Sequence, residues 1–252
     1  MTGQGAQPPA DAGDYYDVYW SEHGYDPPQV MLPPFRAVLE RWVRPDASCI
    51  DVGCGRGGGP SAWLAAHTAS YVGVDISEQA LAVARAAGLN VQRIDDASEL
   101  PFPDSSFDVA LCAEVLEHLV DPYGTAREIR RVLRPGGLLI CTVPNIAYWR
   151  RRVDMALFGR WHPLGDNQST RRPWRDPHLR FFGRGNLRNM LREAGYDPVV
   201  VGGHGISWMT DMPGVRRLKR REEAGPVYER LVSAAPSVFA HRFHAIATRP
   251  AG

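Results

Sequence analysis

The stretch that most constrains the fold is a short apolar run that ends in a cluster of glycines. Residues 47–52 (Ala-Ser-Cys-Ile-Asp-Val) lead directly into Gly53-Cys54-Gly55-Arg56-Gly57-Gly58-Gly59. The apolar run is typical of a buried parallel strand, and the glycines are typical of a tight turn before a helix. Because glycine has no Cβ, it lets a ligand lie directly on backbone N–H groups at the start of that helix. We therefore predict a ligand site at this turn.

Two classes of ligand use such a turn, and the glycine spacing fits both of them. Gly53, Gly55 and Gly58 satisfy the G-x-G-x-x-G pattern of dinucleotide sites. Asp51, Gly53, Gly55 and Gly57 satisfy the acidic-x-G-x-G-x-G pattern that is typical of S-adenosylmethionine (SAM) sites. A carboxylate at Asp51 would repel a pyrophosphate, but it suits a ligand that carries an ammonium and a sulfonium. Asp51 therefore favours SAM.

The composition limits the kind of protein and the kind of partner. A chain of 252 residues with 44% hydrophobic content can bury one α/β core with a small cap. The formal net charge of +1 argues against nucleic acid as a partner. Since the chain has neither an apolar run of ~20 residues nor a signal-peptide pattern, we expect a cytoplasmic protein that does not bind membranes. Its four cysteines form no C-x-x-C pair, which favours reduced, buried thiols.

Apolar strands alternate with helical segments along the chain. The predicted strands are 47–52, Tyr71–Ile76, Val91–Ile94, Phe107–Cys112 and Leu138–Val143. The predicted helices begin at Pro33, Pro60, Ser77, Ala113 and Asp121, and they end before Pro45 and at His67, Ala87, Leu119 and Leu133. This alternation predicts an α/β fold with a doubly wound, mostly parallel sheet and helices on both faces. Ligands of such sheets bind at the carboxyl ends of the strands.

The amino-terminal part divides into a tail and an aromatic segment. Residues 1–13 contain nothing to bury and are expected to be disordered, whereas 14–252 is expected to form one domain. Residues 14–45 are predicted to form lid helices, with the aromatic cluster Tyr15–Trp20 over the site and Tyr19 against a substrate. Simple packing of these aromatic rings on the domain is an equal alternative.

Four carboxylates fall at the carboxyl ends of predicted strands: Asp51, Asp75, Asp96 and Glu114. Asp75 lies about 20 residues beyond the glycines, where an acidic side chain accepts hydrogen bonds from ribose hydroxyls. It can also cap the helix that begins at Ser77. An acidic residue just after the third strand is placed to accept from an adenine amine, while the N–H of the next residue meets a ring nitrogen. Asp96 is preferred for this role, with Asp95 as the alternative. The four positions together point to one nucleoside-containing ligand.

These motifs resemble the class I SAM-dependent methyltransferases over about 48–194. The motifs are Asp51–Gly57, Gly73–Ser77, Asp96-Ala97, Leu100–Asp108, Glu114–His118 and Leu133–Gly137. The resemblance implies a Rossmann-like sheet of seven strands that ends in an antiparallel hairpin, with candidates at Val199–Val201 and Phe243–Thr248. It also implies a set of cofactor contacts: Gly53, Cys54 and Gly55 to the carboxypropyl group, Asp75 to the ribose, Ile76, Asp96 and Ala97 to the adenine, and Cys112 to Glu114 to the methyl end.

A narrower resemblance covers 143–160 and 176–182. These residues look like bacterial methyltransferases of sugar and natural-product pathways, and also like the methionine-biosynthesis protein MetW. The resemblance implies a substrate cap at 144–182, with Trp149, Arg150 and Arg180 as candidate substrate residues. Eleven arginines lie between Trp149 and Arg192, so the cap could bind an anionic substrate, although solvated helix faces explain most of them equally well.

Glu114, Glu117 and His118 are spaced to share one face of the predicted helix 113–119. Two carboxylates and an imidazole could hold Mg²⁺ or Mn²⁺. The pattern resembles that of small-RNA 2′-O-methyltransferases and quinone-precursor O-methyltransferases, which use it to bind a metal. The small-RNA enzymes add a distal histidine, to which His178 could correspond. Many relatives carry the same residues without a metal. His118 and His178 are in either case the candidate catalytic bases, because an imidazole titrates near neutral pH.

Several functions fit these observations. The first is a SAM-dependent O- or N-methyltransferase that acts on a small biosynthetic intermediate of natural-product or sugar-like kind. An anionic group on that intermediate and a homodimeric enzyme are both compatible with this function. The second is a MetW-like SAM-binding partner that regulates another enzyme. The third is a metal-dependent RNA 2′-O-methyltransferase, which the near-zero net charge disfavours. The fourth, a dinucleotide-dependent oxidoreductase, is disfavoured by Asp51.

Overall fold

The computed structural model describes residues 13, 15–18, 31–159, 177–205 and 229–251. These residues form one seven-stranded sheet in the order β3-β2-β1-β4-β5-β7-β6. Strands β1 to β5 run parallel to one another, and β7 runs antiparallel to both β5 and β6. The predicted doubly wound, mostly parallel sheet and its terminal antiparallel hairpin are confirmed.

The strands, in chain order, are β1 Ser48–Val52, β2 Ser70–Asp75, β3 Val91–Arg93, β4 Phe107–Ala113, β5 Leu133–Pro144, β6 Val199–His204 and β7 Arg242–Thr248. The helices are α1 Pro33–Trp42, α2 Pro60–His67, α3 Glu78–Ala86, α4 Pro122–Val132, α5 Trp149–Phe158, α6 Arg184–Glu193 and the short α7 Pro236–Phe239. A 3₁₀ turn, Leu116–His118, follows β4. Within the described residues, no helix is long and apolar enough to cross a membrane.

Local sequence signals set most helix boundaries. A proline occupies the first turn of α1, α2 and α4, where its missing N–H costs no hydrogen bond. Asp121 caps α4 by accepting a hydrogen bond from the Gly124 N–H at 2.9 Å. Ser77 caps α3 by accepting from the Ala80 N–H at 3.2 Å. The cap of α3 is therefore Ser77, and Asp75 supports it by accepting from the Ser77 N–H at 2.9 Å.

Two predicted boundaries are wrong. The helix expected over 113–119 is only the 3₁₀ turn, because Glu114 has a φ of 57° and breaks any regular helix there. Strand β5 begins at Leu133 and not at Leu138, since the chain passes from α4 into the strand without an intervening loop. Gly13, the last residue of the predicted disordered tail, is helical, and residues 1–12 lie outside the described residues.

The core lies on both faces of the sheet, as alternating side chains require. On one face, Ile50, Ala110 and Cys112 pack with α4 and α6 residues. On the other, Cys49 and Leu111 pack with residues of α1 and α2. All four cysteines are buried and form no disulfide with one another, which confirms the predicted burial, while their reduced state stays a prediction.

The hairpin of β6 and β7 carries a histidine pair in which His204 is buried and His244 is half-buried. The Nδ1 atoms of His204 and His244 are 3.2 Å apart, and the His204 ring stacks on Phe35 at 5.2 Å. One imidazole donates this hydrogen bond and the other accepts it, so the bond requires at least one neutral ring. Burial lowers the pKa of His244 to about 4 and holds that of His204 well below its ordinary value, with the neighbouring His244 and Arg242 acting in the same direction on His204.

Candidate functional site

The glycine turn leaves β1 and enters α2 in a conformation that favours glycine. Gly53, Gly55 and Gly57 have φ of 77°, 51° and 74°. A Cβ on Gly53 would lie 2.3 Å from Val115 Cγ2, so a larger residue would collide with the segment that follows β4. The N–H groups of Gly53 and Cys54 donate to the Val74 carbonyl at 2.8 and 3.1 Å, which anchors the turn to β2.

Asp75 ties the turn to the end of β2. Its Oδ2 accepts from the Gly55 N–H at 2.8 Å, and its Oδ1 accepts from the Ser77 N–H at 2.9 Å. Burial raises the pKa of Asp75, while these two hydrogen bonds oppose the rise. Each carboxylate oxygen can accept a second hydrogen bond, so Asp75 retains capacity for the hydroxyls of a ligand.

Asp51 is buried beside the turn. Its side chain accepts a hydrogen bond from the Tyr71 hydroxyl at 3.1 Å. Burial raises the pKa of Asp51 to about 6, and hydrogen bonds from Ser61 and Tyr71 oppose this rise. A neighbouring cationic group would stabilise the ionised form of such a carboxylate.

The predicted adenine side lies at the ends of β2 and β3. Asp96 is exposed, and its Oδ1 accepts from the Ser98 N–H at 2.7 Å. Ala97 is buried, and Ile76 is half-buried against the core. Because β1, β2 and β3 are parallel neighbours, the structure brings Asp51, Asp75 and Asp96 to the same edge of the sheet.

Two of the residues predicted at the methyl end differ in their access to this edge. Cys112 is fully buried within β4 opposite Cys141, so only its backbone can face a ligand. Glu114 lies just beyond β4 and is held by two side chains. Its Oε1 accepts from the Thr142 hydroxyl at 2.9 Å, and its Oε2 accepts from Arg242 Nε at 2.6 Å.

Glu117 and His118, which follow Glu114 closely in the chain, form a cluster with the distant His178. Their ligand-type atoms all lie within 4.8 Å of one another. Glu117 Oε1 is 3.8 Å from the Nε2 atoms of both histidines, and the two rings are 4.5 Å apart. The structure thus brings together three of the four predicted metal ligands. It places Glu114 outside the group because Thr142 and Arg242 hold that carboxylate elsewhere.

Backbone contacts fix this cluster, which we call the Glu-His-His cluster. The Glu117 carbonyl accepts from the N–H groups of Leu179 and Arg180 at 2.8 and 2.9 Å, which holds His178 over the 3₁₀ turn. His118 Nδ1 lies 3.2 Å from the Pro177 carbonyl. Since a carbonyl only accepts, Nδ1 carries the hydrogen, and the lone pair of His118 is at Nε2.

Glu117 is the least satisfied side chain of the cluster. It is 1% exposed, and within the described part of the chain neither of its oxygens accepts a hydrogen bond. Burial raises the pKa of Glu117 well above its ordinary value, and the negative charge of the nearby Glu114 raises it further. An unpartnered buried carboxylate that faces two imidazoles fits a divalent cation. One oxygen donor and two nitrogen donors suit Zn²⁺, Fe²⁺ or Mn²⁺ better than Mg²⁺, which prefers an all-oxygen environment.

The amino-terminal segment 15–18 contacts both ends of the site. The ring of Tyr16 meets His118 edge-on at a centroid distance of 6.1 Å. Asp17 accepts from the Ser77 hydroxyl and from the Gln79 N–H, beside Asp75. This segment is part of the predicted lid, whose closing over a ligand stays a prediction. Tyr19, the predicted substrate residue of the lid, lies outside the described residues.

The predicted substrate residues are only partly described. Trp149 is half-buried at the start of α5, and Arg150 is exposed beside it. Arg180 is exposed, and its guanidinium donates to the carbonyls of Leu179 and Val120. Residues 160–176 of the predicted cap lie outside the described residues.

Sequence reasoning missed Arg242, which lies at the site although it is 128 residues from Glu114. Its only sequence signal is its position just before the predicted last strand. An antiparallel last strand begins at the edge where the parallel strands end, so its first residue faces the ligand edge.

Known proteins share this sequence pattern and this architecture. Residues 50–141 match the model of a methyltransferase domain family. A ubiquinone biosynthesis O-methyltransferase of Ruegeria pomeroyi is 34% identical over 217 residues, which cover 75% of this chain and 83% of that protein. A 2-methyl-6-phytyl-1,4-hydroquinone methyltransferase of Synechocystis is 29% identical, over 65% of this chain and 63% of that protein.

Solved structures share the fold. The phosphoethanolamine N-methyltransferase 2 of Haemonchus contortus, solved in complex with S-adenosyl-L-methionine, superimposes with a TM-score of 0.57 at 19% identity. The superposition covers 86% of this chain and 52% of that one. At this identity the likeness concerns the fold alone.

Proposed function

Because this chain belongs to the class I SAM-dependent methyltransferases, we propose that it methylates an oxygen or nitrogen atom of a small biosynthetic intermediate. The observation that carries the proposal is the Glu-His-His cluster, which lies directly after β4, where the methyl end of the cofactor is expected. The similarity to a ubiquinone biosynthesis O-methyltransferase supports a ring hydroxyl as the first acceptor to test.

The residues of the cofactor half of the site would bind SAM and orient it. SAM supplies an activated methyl group and leaves as S-adenosylhomocysteine. Asp75 would accept hydrogen bonds from the ribose hydroxyls with the lone pairs that Gly55 and Ser77 leave unused. The buried carboxylate of Asp51 would stabilise the cationic end of the ligand. Asp96 and Ala97 would meet the adenine.

The acceptor half of the site positions the nucleophile and removes its proton. The acceptor atom must lie near ~3 Å from the methyl carbon, in line with the departing sulfur. As its lone pair forms the new bond to carbon, the carbon–sulfur bond breaks and its electrons stay on sulfur. The acceptor proton would pass to His118 Nε2, which carries the lone pair of the ring when Nδ1–H donates to the Pro177 carbonyl.

The unpartnered carboxylate of Glu117 favours a second version of this site, in which a divalent metal is present. Glu117, His118 and His178 would hold the ion, and its charge would make an acceptor hydroxyl more acidic. The two versions differ in the role of the imidazoles, as proton acceptors or as ligands.

One experiment tests the function and separates the versions. Purified protein is titrated with SAM in a calorimeter, and turnover to S-adenosylhomocysteine is measured with catechols and hydroquinones, with EDTA or with added Mn²⁺, Zn²⁺ or Mg²⁺. We expect acceptor-dependent turnover, which Glu117→Gln reduces if a metal is held and Glu193→Gln, an exposed control, leaves unchanged. EDTA-resistant turnover would support the metal-free version.

The contrary outcome has a specific meaning. If SAM binds and no acceptor is methylated, while the protein forms a stable complex with another biosynthetic enzyme, the MetW-like regulatory role replaces the catalytic one.

A further inference from the structure

Arg242 is the described arginine whose guanidinium pairs directly with an acidic side chain at the methyl end of the site. It is the first residue of β7, opposite Pro144 of β5 and His204 of β6. Since β5 ends and β7 begins at the same edge, Arg242 lies at the carboxyl edge of the sheet. The negative charges of Glu114 and, to a smaller extent, Glu117 raise the pKa of Arg242, so its guanidinium interacts electrostatically with both carboxylates.

Only one edge of this guanidinium is used. Nε donates to Glu114 Oε2 at 2.6 Å, and within the described residues the two terminal amino groups donate no hydrogen bond. The Arg242 side chain is 36% exposed, so these amino groups are accessible and not sealed in the core. A guanidinium presents five N–H donors in a planar fork, which matches the two oxygens of a carboxylate or phosphate.

The ion pair with Glu114 restrains the guanidinium of Arg242. Glu114 has a φ of 57°, a strained backbone conformation for a residue other than glycine. Thr142 and Arg242 each bind one oxygen of Glu114, and the Glu114 N–H donates to the Thr142 carbonyl at 3.0 Å. A guanidinium anchored at Nε loses little further freedom when its other edge binds a ligand.

We propose that Arg242 is a specificity-determining residue whose terminal amino groups bind an acidic oxyanion of the methyl acceptor, a carboxylate or a phosphate monoester. The inference deepens the proposed methyltransferase function and rests on it. The fork holds the acid while the reacting hydroxyl or amine lies toward the Glu-His-His cluster. The sulfonium of SAM adds a second positive charge on this side and favours an anionic acceptor further.

The other arginines considered for this role have different surroundings. The guanidinium of Arg180 donates to two backbone carbonyls, and Arg150 is exposed on α5. Arg151 is buried and donates to the Asn145 carbonyl at 3.0 Å. None of these described contacts is with an acidic side chain of the methyl end, whereas that of Arg242 is.

The test measures binding to the protein saturated with S-adenosylhomocysteine. The probes are 3,4-dihydroxybenzoate, its neutral match 4-methylcatechol, and phenyl phosphate, each followed by calorimetry. We expect the wild type to bind at least one acidic probe at least tenfold more tightly than 4-methylcatechol, because only an acidic group can form two charge-assisted hydrogen bonds with the guanidinium. The two acidic probes distinguish a carboxylate from a phosphate.

The variants separate recognition from structure. Arg242→Lys keeps a positive charge next to Glu114 but removes the fork, and it should lose about tenfold in affinity for the acidic probe and nothing for the neutral one. The double variant Arg242→Gln/Glu114→Gln leaves no unpaired charge and should lose the acid preference in the same way. Arg192→Lys, exposed on α6, is the matched control.

Two results would overturn the proposal. One is a wild type that shows no preference for either acidic probe. The other is an Arg242→Lys protein in which affinity for all three probes, or for S-adenosylhomocysteine itself, falls equally, because Arg242 would then have only a structural role. An acid preference without methyl transfer to any acceptor would contradict the proposed function and leave the role of Arg242 standing.

Discussion

Acid should destabilise this protein through the histidine pair of the β6–β7 hairpin. Burial lowers the pKa of His244 from 6.5 to about 4. A histidine with a depressed folded pKa binds its proton more readily in the unfolded chain, so its penalty is absent above pH 6.5 and grows as the pH falls toward 4. At pH 5 the His244 imidazole alone lowers the free energy of unfolding by about 2 kcal/mol relative to pH 8, and by about 3 kcal/mol once it is protonated in both states.

His204 adds to the effect in the same direction. Its pKa is also lowered, and protonation of both rings would leave two donors facing each other at 3.2 Å. Asp51 acts in the opposite direction, because its pKa is raised to about 6 and its protonation below that pH favours the folded state. The histidine contribution must therefore be isolated by mutation.

The perturbation is the double variant His204→Phe/His244→Phe, which replaces both partners with rings of similar shape and leaves neither one unpaired. Urea unfolding is followed at pH 8, 6.5, 5 and 4. Between pH 8 and pH 5, the free energy of unfolding of the double variant should fall by at least about 2 kcal/mol less than that of the wild type. Asp51 is present in both proteins, so its contribution cancels.

His67→Phe is the control, because His67 is exposed on α2 and stacks on Trp63. It should follow the wild-type pH dependence. If the double variant keeps the full loss of stability between pH 8 and pH 5, the histidine pair is not the acid-sensitive element and the reasoning is refuted.

Three further predictions concern the cofactor side and the core. Asp75→Asn should weaken SAM binding about tenfold or more in calorimetry, because charged hydrogen bonds contribute about 1.5–3 kcal/mol, while Asp95→Asn on the exposed loop should change it little; equal losses would contradict the role of Asp75. Gly53→Ala should lower the thermal midpoint far more than Gly88→Ala, since both have positive φ but only the first Cβ meets a neighbour, at 2.3 Å from Val115; similar midpoints would refute the steric argument. The four buried thiols should not react with a disulfide reagent at pH 8 until urea unfolds the protein, and rapid native labelling of any of them would show the core to be open.

The positions of Asp51 and Asp75 could be predicted from the sequence because the signals that locate them are local. Glycine spacing and an acidic residue after each apolar run identify the ends of β1 and β2, and parallel strands must end at one edge. Asp51 and Asp75 therefore lie where the pattern places them. Their roles toward SAM stay predictions.

The acceptor side could not be predicted in the same way, because distant contacts determine it. The spacing of Glu114, Glu117 and His118 fits a helix, but Thr142 and Arg242 hold Glu114 in a conformation that no helix allows. Periodicity does not record a partner 128 residues away. His178 reaches Glu117 through backbone hydrogen bonds of the segment that follows it, which leave no pattern in side-chain spacing.

The position of β7 in the sheet has a consequence for the order in which the protein assembles during synthesis. β7 follows β6 in the chain, yet it lies between β5 and β6. A growing chain can complete the parallel half, with the glycine turn, Asp51 and Asp75, before the ribosome has made residue 242. Until then β6 has no strand to pair with, and Glu114 lacks the guanidinium that holds it. We therefore expect the cofactor side of the site to form before the proposed acceptor side.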